Sequence, residues 1–175
     1  MRKLIAVAAL AAVTSASAIG VGISAHYNIG MPLGDFGDAV KMSVIGFQGD
    51  VAINVHPFIN IVAAFGYQQW KPADEIVGVD KTTFIPICFG IEYPAVFGSI
   101  AFYPGGGMSY NLMKTTGPNV DVSENKMGIW FGGNFYYMFN ARMGFGAGAS
   151  FNMIFTDVVK TNWIHIPFGI KYWFM

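Results

Sequence analysis

Two histidines are the residues of this chain best suited to acid–base or metal chemistry. His26 and His165 both occupy the more polar set of positions in an alternating pattern, near the two ends of the chain. If the first and last segments of that pattern are neighbours, the two rings could bind a metal, or could act with Ser24 or Asn28 as the base of a lipid-modifying enzyme. No carboxylate lies near either histidine in the sequence to orient its ring. We therefore predict a pair of polar side chains that fill the mouth of a barrel lumen, with no catalytic residue and no metal site.

Four charged residues form a second candidate cluster. Asp50, Glu92, Arg142 and Lys171 all fall on the same, more polar face of the alternation, and they comprise two acids and two bases. Inside a closed sheet they could pair as a charge network in the lumen, and exchange of partners in such a network could gate a polar path. Buried ion pairs are weak evidence of function, so we predict that the network fills the lumen and helps to specify strand register.

The remaining motifs indicate no cofactor. Cys88 is the single cysteine, which excludes an internal disulfide and gives no metal cluster. The glycines at 105–107 are not followed by a helix and so do not form a phosphate-binding loop. The acidic residues of the loops match no calcium-binding spacing.

The elements that position these residues are strands, because the alternation has a period of two. In the last segment the apolar set includes Ile166, Phe168 and Ile170, and the interleaved set includes His165 and Lys171. Eight segments carry this pattern: 19–32, 40–55, 59–70, 82–93, 98–114, 127–138, 141–156 and 163–174. They predict an all-β fold, an eight-stranded antiparallel up-and-down transmembrane β-barrel.

The connections between these segments alternate in length. Short turns are predicted at 56–58, 94–97 and 139–140, and longer polar loops at 33–39, 71–81, 115–126 and 157–162. Most charges lie in or beside the long loops. Short turns at one end and long loops at the other are typical of outer-membrane barrels, with both termini on the periplasmic side.

The composition agrees with a barrel whose outside faces lipid. Hydrophobic residues make up 54% of the 175-residue chain, aromatic residues 16% and charged residues 11%, with a mean hydropathy of +0.46. The sequence has no cluster of basic residues of the kind that binds nucleic acid. An eight-stranded lumen is just wide enough to be filled by side chains, so we expect glycines there to face large aromatic residues.

The N-terminus carries a secretory signal. Arg2 and Lys3 precede an apolar stretch over 4–13, and residues 16–18 form a small-residue cleavage site. We predict a signal peptide over 1–18 and one transmembrane barrel domain over 19–175. Within the barrel, Pro86, Pro104 and Pro167 each remove a ladder donor, and we predict a β-bulge at each.

Several motifs resemble those of the small porin-like outer-membrane beta-barrel domain family. They are Pro32-Leu33-Gly34-Asp35-Phe36 in the first loop, Ile45-Gly46-Phe47-Gln48-Gly49 in the second strand, Gly90-Ile91-Glu92-Tyr93 in the fourth, and Ile166-Pro167-Phe168-Gly169-Ile170-Lys171-Tyr172-Trp173-Phe174 in the last. This resemblance covers essentially the whole mature chain. It implies a location in the bacterial outer membrane, contact with its lipid, and assembly by the barrel-insertion machinery. Such barrels usually end on an aromatic residue, whereas here Met175 follows Phe174.

These observations predict a non-enzymatic envelope protein, structural or engaged in surface contact or adhesion through its outer loops. Three alternatives remain open: a narrow channel for small or hydrophobic solutes, a lipid-modifying enzyme that uses His26 or His165, and a soluble secreted lipocalin-like barrel. A lipocalin-like barrel should have an apolar interior. The four strand charges argue against it, because their positions in the alternation place them on the inner face. The sequence identifies no soluble partner.

Overall fold

The computed structural model describes residues 20–74, 76, 78–156 and 160–174 of the chain. Its strands are β1 (Val21–Leu33), β2 (Ile45–His56), β3 (Ile59–Trp70), β4 (Lys81–Glu92), β5 (Ala95–Phe97), β6 (Ile100–Gly117), β7 (Val120–Met138), β8 (Met143–Ile154) and β9 (Thr161–Phe174). A short helix, α1 (Asp35–Ala39), follows β1. The predicted signal peptide lies outside the described residues.

Eight of these strands close into an antiparallel barrel, as predicted. Each barrel strand pairs with the next one along the chain. β4 pairs directly with β6, because the short β5 between them in the sequence is not part of the ring, and β1 pairs with β9 to close it. The β1–β9 ladder runs without interruption from the pair Val21–Phe174 to the pair Leu33–Asn162. A closed ring leaves no barrel strand at a sheet edge, which is the condition for burying a sheet in lipid.

The alternating residues of each strand point to opposite faces of the barrel. The outer face is apolar, and the inner face carries both polar and apolar side chains. Phe168, Ile170 and Phe174 of β9 are exposed, whereas His165 and Lys171 of the same strand are buried. The same arrangement recurs around the barrel, with exposed Phe47, Phe65, Phe89 and Phe131 on other strands. No helix within the described part of the chain is long and apolar enough to cross a membrane.

The two ends of the barrel differ, and we call them the short-turn end and the long-loop end. The short-turn end carries the connections at 57–58, 93–99 and 139–142 together with Gly20 and Phe174. The connection between β4 and β6 contains β5, which sequence analysis missed and which pairs with Ile100–Phe102 as a small rim hairpin. The long-loop end carries α1 and the connections at 34–44, 71–80 and 155–160.

Two predicted boundaries at the long-loop end are wrong. Residues 115–126 are not a loop, because β6 and β7 continue as a paired hairpin down to the pair Gly117–Val120. Most side chains in this segment are polar on both faces of the hairpin. The sequence therefore shows no alternation of apolar and polar residues there. The second strand begins at Ile45 and not at residue 40, since Val40 and Ser43 make only isolated bridges, to Pro72 and Gly30.

The prediction of bulges at the three prolines is also wrong. Pairing keeps the same register on both sides of Pro86, Pro104 and Pro167. Glycine stands opposite two of the rings: a Cβ at Gly66 would lie 3.1 Å from the Pro86 ring, and Gly133 is paired with Pro104. Space beside each ring lets the strand lose a hydrogen bond without shifting.

Candidate functional site: the barrel lumen

Glycines and large aromatic side chains fill the lumen as complementary pairs. A Cβ at Gly30 would lie 2.5 Å from the Trp70 ring, and one at Gly90 would lie 2.7 Å from the ring of Trp130. A Cβ at Gly22 would similarly lie 3.0 Å from the indole ring of Trp173. The predicted packing of small residues against large ones is confirmed, and it leaves a void of only about 50 Å³ in the middle of the barrel.

The central charge cluster is an ion pair surrounded by aromatic rings. Nζ of Lys171 lies 3.3 Å from a carboxylate oxygen of Glu92, and the Lys171 residue is 1% exposed. The same ammonium lies 4.1 Å from the ring centroid of Tyr103 and 5.3 Å from that of Trp173. The carboxylate and the π faces together replace the water that this cation loses on burial.

Asp50, the third predicted lumenal charge, lies beside His26. Its carboxylate accepts a hydrogen bond from the Ser24 hydroxyl at 2.8 Å, and its second oxygen lies 3.3 Å from Nδ1 of His26. Nε2 of His26 lies 2.6 Å from the hydroxyl of Tyr136. This orienting carboxylate could not be recognised from the sequence, because the β1–β2 register that pairs Ser24 with Asp50 depends on barrel shear.

Arg142 does not belong to the lumenal network, which corrects the prediction. It lies exposed in the turn before β8. The side-chain oxygen of Asn140 accepts hydrogen bonds from the backbone N–H groups of Arg142 and Met143, at 2.8 and 3.0 Å. This capped turn delays the start of β8 to Met143, so the parity argument does not apply to Arg142.

The two histidines do not form a pair. In the β1–β9 ladder His26 stands opposite Gly169, whereas His165 stands opposite Gly30, nearer the long-loop end. Nε2 of His165 lies 2.9 Å from the amide oxygen of Gln68, whose nitrogen donates to the Ser43 hydroxyl. The histidines are polar filling at two levels, and both line a central void of about 50 Å³.

An aromatic cluster closes the long-loop end of the lumen, and sequence analysis did not foresee it. Phe36 of α1 is 6% exposed, and its ring centroid lies 5.0 Å from that of Trp70 and 5.6 Å from that of Phe84. Trp163, Val40 and Ile154 complete this cluster, which we call the Phe36 plug. The predicted first loop therefore folds into the barrel mouth as a single helical turn.

The short-turn end remains open. A cavity of about 810 Å³ lies there, lined mainly by apolar and small residues, with Trp173 and Tyr103 at its inner surface. Nε1 of Trp173 donates a hydrogen bond to the Tyr103 hydroxyl at 3.3 Å. Among the residues that the structure describes, no group of three or more His, Cys, Asp or Glu side chains is positioned to hold a metal ion.

Comparison with known proteins shows the class of this fold. No protein-family model and no curated protein matches the chain. Among solved structures it is similar to Ail, the attachment invasion locus protein of Yersinia pestis (13% identity, TM-score 0.62, 90% of this chain and 100% of that one). It is also similar to Neisserial surface protein A (16%, TM-score 0.66, 89% and 97%). The outer membrane protein OprG from Pseudomonas aeruginosa matches as well (12%, TM-score 0.63, 90% and 96%).

The fold is therefore that of the small eight-stranded barrels of bacterial outer membranes. Its closed ladder satisfies the backbone hydrogen bonds, and its outer surface is apolar, which are the two features that a β-sheet needs in lipid. These features define a transmembrane β-barrel fold.

Proposed function

We propose that this protein is a non-conducting, non-enzymatic barrel that acts through the surface of its long-loop end. The observation that carries the proposal is the double closure of the lumen. The Phe36 plug fills one level, and the Lys171–Glu92 pair with its aromatic neighbours fills another. A barrel filled at two levels offers no continuous path for a solute.

The surface that remains for function is the one that the loop-length rule places outside the cell. Its most prominent element is the β6–β7 hairpin, in which β7 begins at Val120 whereas pairing with β8 begins only at Gly128. The hairpin extends beyond the β7–β8 ladder, while β6 stays paired with β4 as far as Thr116. It exposes Val122 and carries an ion pair between Lys114 and Asp121 at 3.0 Å. Such a paired, rigid arm suits contact with another surface, in keeping with the attachment role that the name of Ail states for that protein.

Two other functions fit less well. The enzyme hypothesis needs an accessible serine beside a histidine, but the Ser24 hydroxyl donates to Asp50, and both Ser24 and His26 are buried in the lumen. The channel hypothesis is favoured by the wide cavity at the short-turn end, yet a solute leaving it would have to pass Tyr103, Lys171 and then the Phe36 plug. Lipid contact through the outer surface and assembly by the insertion machinery complete the proposal.

The test is retention of bacteria that display the barrel on the surfaces of other cells. We expect replacement of residues 114–123 by a two-residue turn, which joins the paired residues Met113 and Glu124, to reduce retention strongly while the heat-dependent gel shift of a folded barrel persists. The matched control replaces the short turn at 57–58, at the other end, and should leave retention unchanged. Unchanged retention after shortening the hairpin would contradict a surface-contact role for this arm.

A further inference from the structure

The cavity at the short-turn end has the form of a small-molecule site. Its volume of about 810 Å³ lies within the range of roughly 300–1,000 Å³ typical of ligand pockets. It opens at the end that the loop-length rule places in the periplasm, and it is closed on the inside by Tyr103 and Trp173. It is therefore a blind pocket that a ligand would enter and leave by the same mouth.

Among the residues that the structure describes, no side chain at this end fills the cavity. The connections at this end are short, and the rim carries small side chains, among them Gly20, Ser99 and Ala141. Gly98, also on the rim, has a φ of 62°, a conformation that larger residues rarely adopt. Ala101 is fully buried and packs with Tyr103 and Tyr136, so the cavity ends at this cluster.

The lining indicates the chemistry of the ligand. The rings of Tyr103 and Trp173 are stacked at an interplanar angle of 27°, and Phe139 lies at the rim. No described residue that lines the cavity is charged; the polar groups are mainly amides, those of Asn54, Asn60 and Asn140. Lys171 and Glu92 lie behind the aromatic floor and are paired with each other.

From this arrangement we infer that the short-turn cavity binds one small, uncharged aromatic molecule from the periplasmic side. Offset or edge-on contact with Trp173, which stacks on the buried Tyr103, would supply most of the affinity, and the amides of Asn54 and Asn140 at the mouth would orient a single polar group of the ligand. The site is independent of the surface-contact role proposed above, because the two lie at opposite ends of the barrel.

Two methionines make the inference testable. Met138 lines the cavity, whereas Met108 is exposed on the lipid face. Protein with ¹³C-labelled methionine methyl groups, refolded into lipid nanodiscs, would be titrated with benzyl alcohol and observed by NMR, with Met138→Leu and Met108→Leu assigning the two signals. The Met138 signal should shift and saturate, while the Met108 signal should drift in proportion to probe dissolved in the lipid.

Filling the cavity provides the control. Ser99→Trp places a ring at the exposed rim of the cavity, and Ala141→Trp, also at the exposed rim, serves if the first variant does not fold. Either change should weaken the apparent affinity by at least about tenfold, as expected when a well-fitted apolar contact is lost. Saturation of Met138 that survives filling, or a Met138 shift that only follows Met108, would overturn the site. Benzoate that binds as well as benzyl alcohol would overturn the assignment of an uncharged ligand.

Discussion

The two ends of the lumen are built from the same eight strands, yet one is packed solid and the other is hollow. At the long-loop end Phe36, Trp70, Phe84 and Trp163 form a continuous aromatic cluster. At the short-turn end Trp173 and Tyr103 face a cavity of about 810 Å³. The strands alone do not decide this difference, since both ends carry large inward rings.

The difference arises from the length of the connections. The segment between β1 and β2 is long enough to turn back as α1 and to place Phe36 inside the barrel mouth. At the other end the turns at 57–58 and 139–142 join adjacent strands directly, and the residues of 93–99 pair back on β6 at the rim. In a barrel of this size the strands thus supply the wall and most of the filling, and a loop must supply the final layer.

The largest expected effect comes from the layer between the two ends. Lys171→Met should destabilise the barrel by about 3–5 kcal/mol, because it leaves the buried Glu92 carboxylate without its cation. Urea titration of the refolded protein, followed by the heat-dependent gel shift, measures this change. The double variant Glu92→Leu/Lys171→Met should recover much of the loss, and a double variant as unstable as the sum of the two single ones would contradict the pairing.

The plug offers the next test. Phe36→Ala should cost about 3 kcal/mol, since a ring packed among Trp70, Phe84 and Trp163 is removed. Phe155→Ala is the matched control, because Phe155 lies at the same end but is 51% exposed, and its removal should change the stability little. Equal losses in the two variants would show that the first loop does not fill the mouth.

Glycine packing gives a smaller effect with a clear sign. Gly30→Ala should destabilise by roughly 1–3 kcal/mol, because the new methyl group would meet Trp70. Gly49→Ala should be close to neutral, since the nearest atom to its Cβ would be 3.8 Å away. The same urea titration compares them, and a neutral Gly30→Ala would mean that Trp70 does not lie where the plug requires it.

The smallest effect concerns Arg142. Its substitution by alanine should change stability by no more than about 0.5 kcal/mol, since the side chain is exposed in a turn. Thermal unfolding of this variant and of Lys171→Met, measured side by side, compares the loss of an exposed base with the loss of a buried one. A loss comparable to that of Lys171→Met would restore Arg142 to the lumenal network.

Sequence patterns predicted those parts of the fold that depend on local alternation. Parity alone placed Lys171 inside and Ile170 outside, and it placed Asp50 and Glu92 in the lumen. Contacts that depend on barrel shear were beyond reach, which is why the Asp50–His26 contact and the separation of His26 from His165 were not foreseen. Arg142 was misplaced because a side-chain cap by Asn140 set the turn length.

The Phe36 plug was missed for a different reason. A single apolar residue in a polar loop carries no period, and nothing local distinguishes a ring that enters a barrel mouth from one that remains at the surface. The cavity was missed because it depends on the absence of a loop side chain that reaches the barrel axis, and no sequence pattern marks such an absence.

Single-channel recording in planar bilayers tests the closed lumen most directly. Refolded wild-type barrel should insert without discrete conductance steps, and Phe36→Ala should also remain silent because the Lys171–Glu92 layer still closes the path. Stable, reproducible steps from the wild-type protein would contradict a lumen closed at two levels and would support the channel.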